Sequence, residues 1–309
     1  MISATEFVCT FRRSPGSALF KCSDGQFYIL TFRELTSRSA SLCTKFLTSK
    51  LARLVGLPTP DVEIIELDQS LIDHSPELRT QIPELQTLDD GIQDVQCDLR
   101  SRKRGGLQLG SCYLVRPGEG TLFDFFPEKM LSRVANLKTF AGALVFDLWM
   151  KNVGVRRAVF YRSSHETQYN VAFLCQGWVP QRRHPFGCAF DPARVAMYRN
   201  KAVYRNIAEW NDFEPFLSRL EAIDIGTMED FVGEIPQNWC DNRSGMVARL
   251  IELHERQAVV RDLVSEFLVD NHKIFPNWRG AQAVPAVAGE GASLTASTWC
   301  PNWPSCEVN

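Results

Sequence analysis

Ala18-Leu19-Phe20-Lys21-Cys22, Ser23-Asp24-Gly25, Gln26-Phe27-Tyr28-Ile29-Leu30-Thr31-Phe32 is the stretch on which the fold turns. Asp-Gly between two apolar runs is a strong short-range signal for a β-hairpin, so the chain sets out in paired strands. A helix is expected next, over residues 36–55, where Leu42, Phe46, Leu47, Leu51, Leu54 and Val55 fall mostly on one face. Gly56 supplies its stop, and Pro58 and Pro60 prevent continuation. Residues 62–67 return as a strand. Residues 80–106 lack an apolar pattern: Asp89, Asp90, Asp94 and Asp98 precede Arg100-Ser101-Arg102-Lys103-Arg104-Gly105-Gly106, a basic run that reads as a solvated loop or as a phosphate contact. Residues 107–115 read as another strand, and Pro117-Gly118-Glu119-Gly120 as a connection.

From about residue 121 the pattern turns helical. Phe140, Leu144, Phe146, Leu148 and Trp149 make 139–150 a dense apolar segment. Two short strands, 157–161 and 169–174, flank a polar loop. Helices are expected at 207–223 and at 227–234, the second opening on Thr227-Met228-Glu229-Asp230, which resembles a capping box. The longest helix is expected at 243–269, where Met246, Leu250, Leu253, Val260, Leu263, Val264 and Phe267 recur near helical spacing. Residues 281–309, rich in Ala, Gly, Ser and Pro, read as a disordered tail. The class is therefore α+β, with a small β-rich lobe over about 1–118 and a larger helical lobe over about 119–280. That is the layout of a protein-kinase-like fold, although other α+β proteins share it.

The composition bounds the function. The chain has 309 residues, 45% of them hydrophobic, and a formal net charge of -2. That balance speaks against a protein coating nucleic acid, though a local patch remains compatible with it. No apolar run reaches membrane-spanning length, and Met1-Ile2-Ser3-Ala4-Thr5-Glu6 has no basic n-region before an apolar one. The ten cysteines are scattered without a CxxC pair, which reads as reduced thiols in a cytoplasmic protein. Cys175, His184 and Cys188 are close enough in sequence for a zinc site, but no paired short-spaced ligand motif accompanies them.

The segment Phe140-Ala141-Gly142-Ala143-Leu144-Val145-Phe146-Asp147-Leu148-Trp149-Met150-Lys151-Asn152 resembles the HipA-like kinase family in its compact bacterial branch. Three other stretches resemble it in the family's order. They are Ser23-Asp24-Gly25-Gln26-Phe27-Tyr28-Ile29-Leu30, Leu107-Gln108-Leu109-Gly110-Ser111-Cys112-Tyr113-Leu114 and Phe275-Pro276-Asn277-Trp278. The resemblance implies a two-lobed kinase-like fold using ATP and Mg²⁺ to phosphorylate Ser or Thr. Such chemistry is mostly positioning and electrostatic stabilisation by a Lys–Glu pair, a proton-accepting Asp and a metal-holding Asp.

Set against that pattern, the chemical positions are changed. In Ile29-Leu30-Thr31-Phe32, Thr31 stands where the resemblance implies Lys. In Thr44-Lys45-Phe46, Lys45 stands where it implies Glu. In Asn152-Val153-Gly154-Val155, Gly154 replaces the proton-accepting Asp, and in Phe173-Leu174-Cys175-Gln176-Gly177, Cys175 replaces the metal-binding Asp. The expectation is a degenerate kinase that works by binding a protein partner. Its competitor is an active enzyme with relocated residues, in which Lys21 or Lys45 reaches the phosphates, Asp147 serves as base and Asn152 touches nucleotide or metal. For each the structural alternative is a solvated lysine, a loop-orienting aspartate or a turn asparagine. Arg156, Arg157, Arg182, Arg183 and His184 would rim the cleft or form ordinary surface charge. The tail residues Trp299, Cys300, Trp303 and Cys306 would form a docking motif or have no role.

Overall fold

The computed structural model describes residues 1–11, 17–32, 40–80, 105–153, 155–174, 195–240 and 242–279. Its N-terminal part is a closed five-stranded barrel in the order β1-β2-β3-β5-β4. The strands are β1 (Ile2–Thr10), β2 (Ser17–Cys22), β3 (Phe27–Thr31), β4 (Val62–Leu67) and β5 (Gly106–Cys112). The expected hairpin is present: β2 and β3 pair antiparallel with Leu19 opposite Ile29. Gly25 takes φ +77° in the turn, a conformation glycine adopts without penalty. The barrel closes where β1 runs parallel to β4, Ile2 opposite Ile65. Its inner face is Ala4, Ala18, Phe20, Tyr28, Leu30, Ile65 and Leu67, alternating with outward residues as the pleat requires. Gly110 is part of this packing, since a Cβ there would lie 2.3 Å from Ile65 Cδ1.

Helix α1 (Ala40–Leu54) lies outside the barrel. Gly56, at φ +86°, ends its run, and the chain enters β4. Two short helices, α2 (Gln69–Asp73) and α3 (Pro76–Thr80), then contribute Ile72 and Leu78 to the barrel core. The helical part is built around α4 (Thr139–Trp149), whose residues from Phe140 to Trp149 are all buried. A helix apolar on every side belongs in a core. Against it pack α5 (Glu214–Glu221) and α8 (Val260–Asp270), with α6 (Ile225–Glu234) and α7 (Arg243–Glu255) on the flank. Leu144, Phe146 and Trp149 lie in one cluster with Leu250, Leu253 and Val264 of the C-terminal helical run, and Trp149 Nε1 donates to the Leu253 carbonyl at 2.7 Å.

Three local expectations are corrected. The chain is not helical from residue 121: β6 (Gly120–Phe123) pairs antiparallel with β8 (Ala158–Ser163), which pairs with β9 (Asn170–Phe173). Helix α6 begins earlier than expected, and its cap is Asp224, whose carboxylate accepts from the Thr227 amide at 2.9 Å. The run 243–269 is two helices separated by a 3₁₀ turn, Arg256–Val259. Arg256 and Gln257 break it, because their side chains are drawn inward. Arg256 donates to the Trp149 and Leu148 carbonyls at the end of α4, and Gln257 Nε2 to the Ile223 carbonyl after α5. These cap carbonyls that a helix end otherwise leaves open. Among the described residues no helix is long and apolar enough to cross a membrane.

Candidate functional site

Those positions implied to do chemistry that are described lie in two places. The first is the outer face of the barrel. Thr31 ends β3, with Leu109 of β5 as its Cα partner, and Leu109 in turn faces Ile64 of β4. Paired residues share a face, so Thr31, Leu109 and Ile64 make a row on the outside of the barrel. Leu109 is buried in the same cluster as Leu42, Cys43 and Phe46 of α1, which places this row beneath α1. Lys45 is half-buried on α1. Strand and helix therefore carry the two residues as the resemblance implies, but a neutral hydroxyl occupies the strand position. Lys21 lies on β2 with Phe27 opposite it, and its side chain is exposed rather than turned into the fold. That is the solvated-lysine alternative.

The second place is the segment that follows α4. Helix α4 ends at Met150, and Lys151 turns the chain at φ +52°, a left-handed value uncommon outside glycine. Asn152 and Arg156 then fold back onto Asp147. Asn152 Nδ2 donates to Asp147 Oδ1 at 2.8 Å, and Arg156 Nε donates to Oδ2 at 2.7 Å. The Arg156 guanidinium also pairs with Oδ1. The Asn152 amide donates to the Asp147 carbonyl at 2.9 Å, and the Asn152 carbonyl accepts from the Ala196 amide at 2.8 Å. Asp147 is 1% exposed and Arg156 4%. Two short strands, β7 (Val155–Arg156) and β10 (Met197–Tyr198), pair parallel beside this knot.

The chemistry follows from that accounting. A carboxylate satisfied on both oxygens by an amide and a buried guanidinium is a structural anion, not a proton acceptor facing a cleft. Asp147 thus orients the loop, and Asn152 is a turn residue bound to it. Arg156 is correspondingly no part of a basic rim, because its charge is spent inside; Arg157 is exposed. Gly154, Cys175, Arg182, Arg183, His184 and Cys188, the basic run at 100–104 and the tail aromatics lie outside the described residues.

Thr31 offers no cation for phosphate, Lys21 is exposed on the outside of the barrel, and Asp147 is already neutralised by Arg156. Among the described residues no group of three or more His, Cys, Asp or Glu side chains could hold a metal ion. These residues do not form a Mg²⁺–ATP cradle. An open groove of about 340 Å³ does exist, between the α1–β4 connection and the start of α4, with Arg53, Pro58, Thr59, Asn136 and Thr139 in its walls. Among the described residues, none of the implied chemical positions lines it.

Sequence reading missed the contacts that join the two parts. Trp239, 0% exposed, sits between them: its Nε1 donates to the Leu107 carbonyl of β5 at 3.1 Å, and its own carbonyl accepts from the Cys43 thiol of α1 at 2.9 Å. Further along α1, Lys50 Nζ donates to Glu234 Oε2 at 2.9 Å and lies over the Phe46 and Phe231 rings. No local pattern marks a tryptophan for a contact 132 residues away.

Residues 16–90 match the model of the HipA-like kinase family. The matched HipA-like segment holds the hairpin, α1 and β4, and so both Thr31 and Lys45. No curated protein matches the chain. Among solved structures, the Helicobacter pylori proinflammatory kinase CtkA superposes with a TM-score of 0.49 at 11% identity, over 86% of this chain and 94% of that one.

Proposed function

We propose that this HipA-like protein uses its kinase-type fold as a binding or regulatory module and transfers no phosphate at a useful rate. The observation carrying the reading is the Asp147–Asn152–Arg156 knot. The only acid suggested by sequence as a replacement base is held inside the protein by a buried arginine. Thr31 at the strand position adds to it, since a hydroxyl cannot neutralise phosphate charge. General-base assistance alone is typically worth about 10²–10⁴-fold, and the absent cation is a separate loss. The expected ligand of the module is a protein.

The test is radiolabelled ATP with Mg²⁺, the purified full chain and generic acceptor proteins, scored also for autophosphorylation. Thermal melts with ATP, with and without Mg²⁺, accompany it. No incorporation and no Mg²⁺-dependent rise in melting temperature are expected. Robust Mg²⁺-dependent labelling by the wild type, lost in Lys21→Ala, would establish relocated catalysis and overturn this reading. Restoring the family pattern with Thr31→Lys, Lys45→Glu, Gly154→Asp and Cys175→Asp is the route by which activity should return.

A further inference from the structure

Helix α1 meets the helical part along a seam with a sulfur at each side of one end. Cys43, 0% exposed, donates its S–H to the Trp239 carbonyl at 2.9 Å, and the next residue in the chain is Cys240. A carbonyl oxygen and the following residue's Cα belong to one planar peptide unit, so Cys43 Sγ lies beside the Cys240 backbone. Cys240 is near enough to act on the Cys43 thiol electrostatically, and it is half-buried at the margin of the shared core. Arg243 stands close by, with its guanidinium fixed on the Val232 and Ile235 carbonyls. The other described thiols differ. Burial raises Cys9, Cys22 and Cys112 too, but the charged groups acting on them are Glu77, Asp24, Glu63 and Arg53, not a second thiol.

We propose that Cys43 and Cys240 are a reversible dithiol–disulfide couple whose oxidation by a small disulfide staples α1 to the helical part of the molecule. The seam is already assembled at both ends, by Trp239 at one and by Lys50 with Glu234 at the other, so the staple closes on a docked interface. The step balances as thiol–disulfide exchange. The Cys240 thiolate, the more accessible sulfur, attacks one sulfur of the oxidant. Its S–S bond breaks and one small thiolate leaves. Cys43 then loses its proton and attacks Cys240 Sγ, expelling the second small thiolate. Two S–H bonds are lost, one S–S bond forms, and the oxidant is reduced to two thiols. Burial pushes the Cys43 thiol up to about 12, with Cys240 adding to the rise and Arg243 opposing it. The thiolate is the nucleophile, so the second attack is the slow one and the mixed disulfide at Cys240 precedes the staple. This couple is independent of whether the fold transfers phosphate.

The experiment is to equilibrate the full chain with mixtures of oxidised and reduced glutathione, trap thiols with an alkylating agent and map peptides without reduction. A Cys43–Cys240 cross-linked peptide is expected, preceded in time by a glutathione adduct on Cys240. The oxidised chain should melt about 5–10 °C higher, as a disulfide closing a long loop in a protein of this size would give, and dithiothreitol should reverse the rise. Cys240→Ser and Cys43→Ala should each abolish the rise, the second keeping the buried site small and apolar. A glutathione adduct on Cys240 that persists at equilibrium without the cross-link would overturn the proposal. So would cross-linking of Cys43 mainly to another of the cysteines, or a rise that survives in Cys240→Ser.

Discussion

Asp147 shows how one residue can look catalytic in sequence and be structural in space. It ends an apolar helix just before a loop, the place where a kinase-type acid is sought, yet both its oxygens are spent on Asn152 and Arg156. Nothing in the local sequence announces this, because the deciding partner is nine residues on and the pairing depends on Lys151 turning the chain back. The elements that carry Thr31 and Lys45, by contrast, are legible from sequence, since a strand and a helix announce themselves by short-range periodicity. Two predictions follow from charge at this scale. Asp147→Asn strands the buried Arg156 charge, and breaking such a pair costs about 3–5 kcal/mol; Asn152→Ala removes one hydrogen bond at about 1 kcal/mol. Urea unfolding midpoints of the two variants should differ in that order, and equal midpoints would show that Arg156 finds another partner. The second concerns Glu214, which accepts from Arg261 Nη1 and Nη2, both at 2.8 Å, while Arg261 also pairs with Glu221. The Arg261 guanidinium, helped by Ser218 and Trp210, overcomes the effect of burial and holds the Glu214 carboxyl down at about 2. A carboxyl depressed in the folded state stabilises it above the unfolded value near 4.3 and loses that contribution as pH falls toward the folded value. Melting temperature should therefore decline between about pH 5 and pH 2, and decline less in Glu214→Gln. The pair is partly exposed, so the effect is about 1 kcal/mol or less.

At the scale of elements, the boundaries read correctly where one physical signal dominates. The Asp-Gly turn, the Gly56 stop and the all-apolar α4 are such cases. They read wrongly where a non-local partner decides. The four residues of β6 carry too little pattern to be told from a helix start, and become a strand because β8 lies beside them. The division of 243–269 into α7 and α8 is invisible in its apolar spacing, because Arg256 and Gln257 break the run by bonding to the ends of α4 and α5. Helix α4 offers a test of how closely these elements pack. A Cβ on Gly142 would lie 2.4 Å from Phe216 Cδ1 on α5. Alanine is the better helix former by about 0.5–1 kcal/mol, while overpacking a core costs about 1–3 kcal/mol. The steric term wins, so Gly142→Ala should lower the urea midpoint. A raised midpoint would mean that the Phe216 ring swings aside without loss.

Over the whole molecule, the hydrophobic clusters do not follow the order of the chain. The barrel interior is one hydrophobic cluster, formed by residues such as Phe20, Leu30 and Ile65. The second cluster begins on the barrel's outer face at Val62 and Leu109, runs through α1 and continues through α4, α5 and α8. Helix α1 comes early in the chain but is packed as a member of the helical part. Trp239 is the joint, because it bonds at once to α1 and to β5. This makes a specific expectation for cooperativity. A domain whose parts share a core unfolds in one transition, and loses that behaviour when the shared packing is removed. Trp239→Phe keeps a ring but deletes the bond to the Leu107 carbonyl, at about 1 kcal/mol, and should melt earlier in a single step. Trp239→Ala empties a fully buried site at about 3–5 kcal/mol. The loss falls on the joint rather than on either interior, so calorimetry should show the wild-type transition divided into two, the barrel keeping its own closed cluster. A single transition with calorimetric and van't Hoff enthalpies still equal would show that α1 and Lys50–Glu234 couple the lobes without the tryptophan.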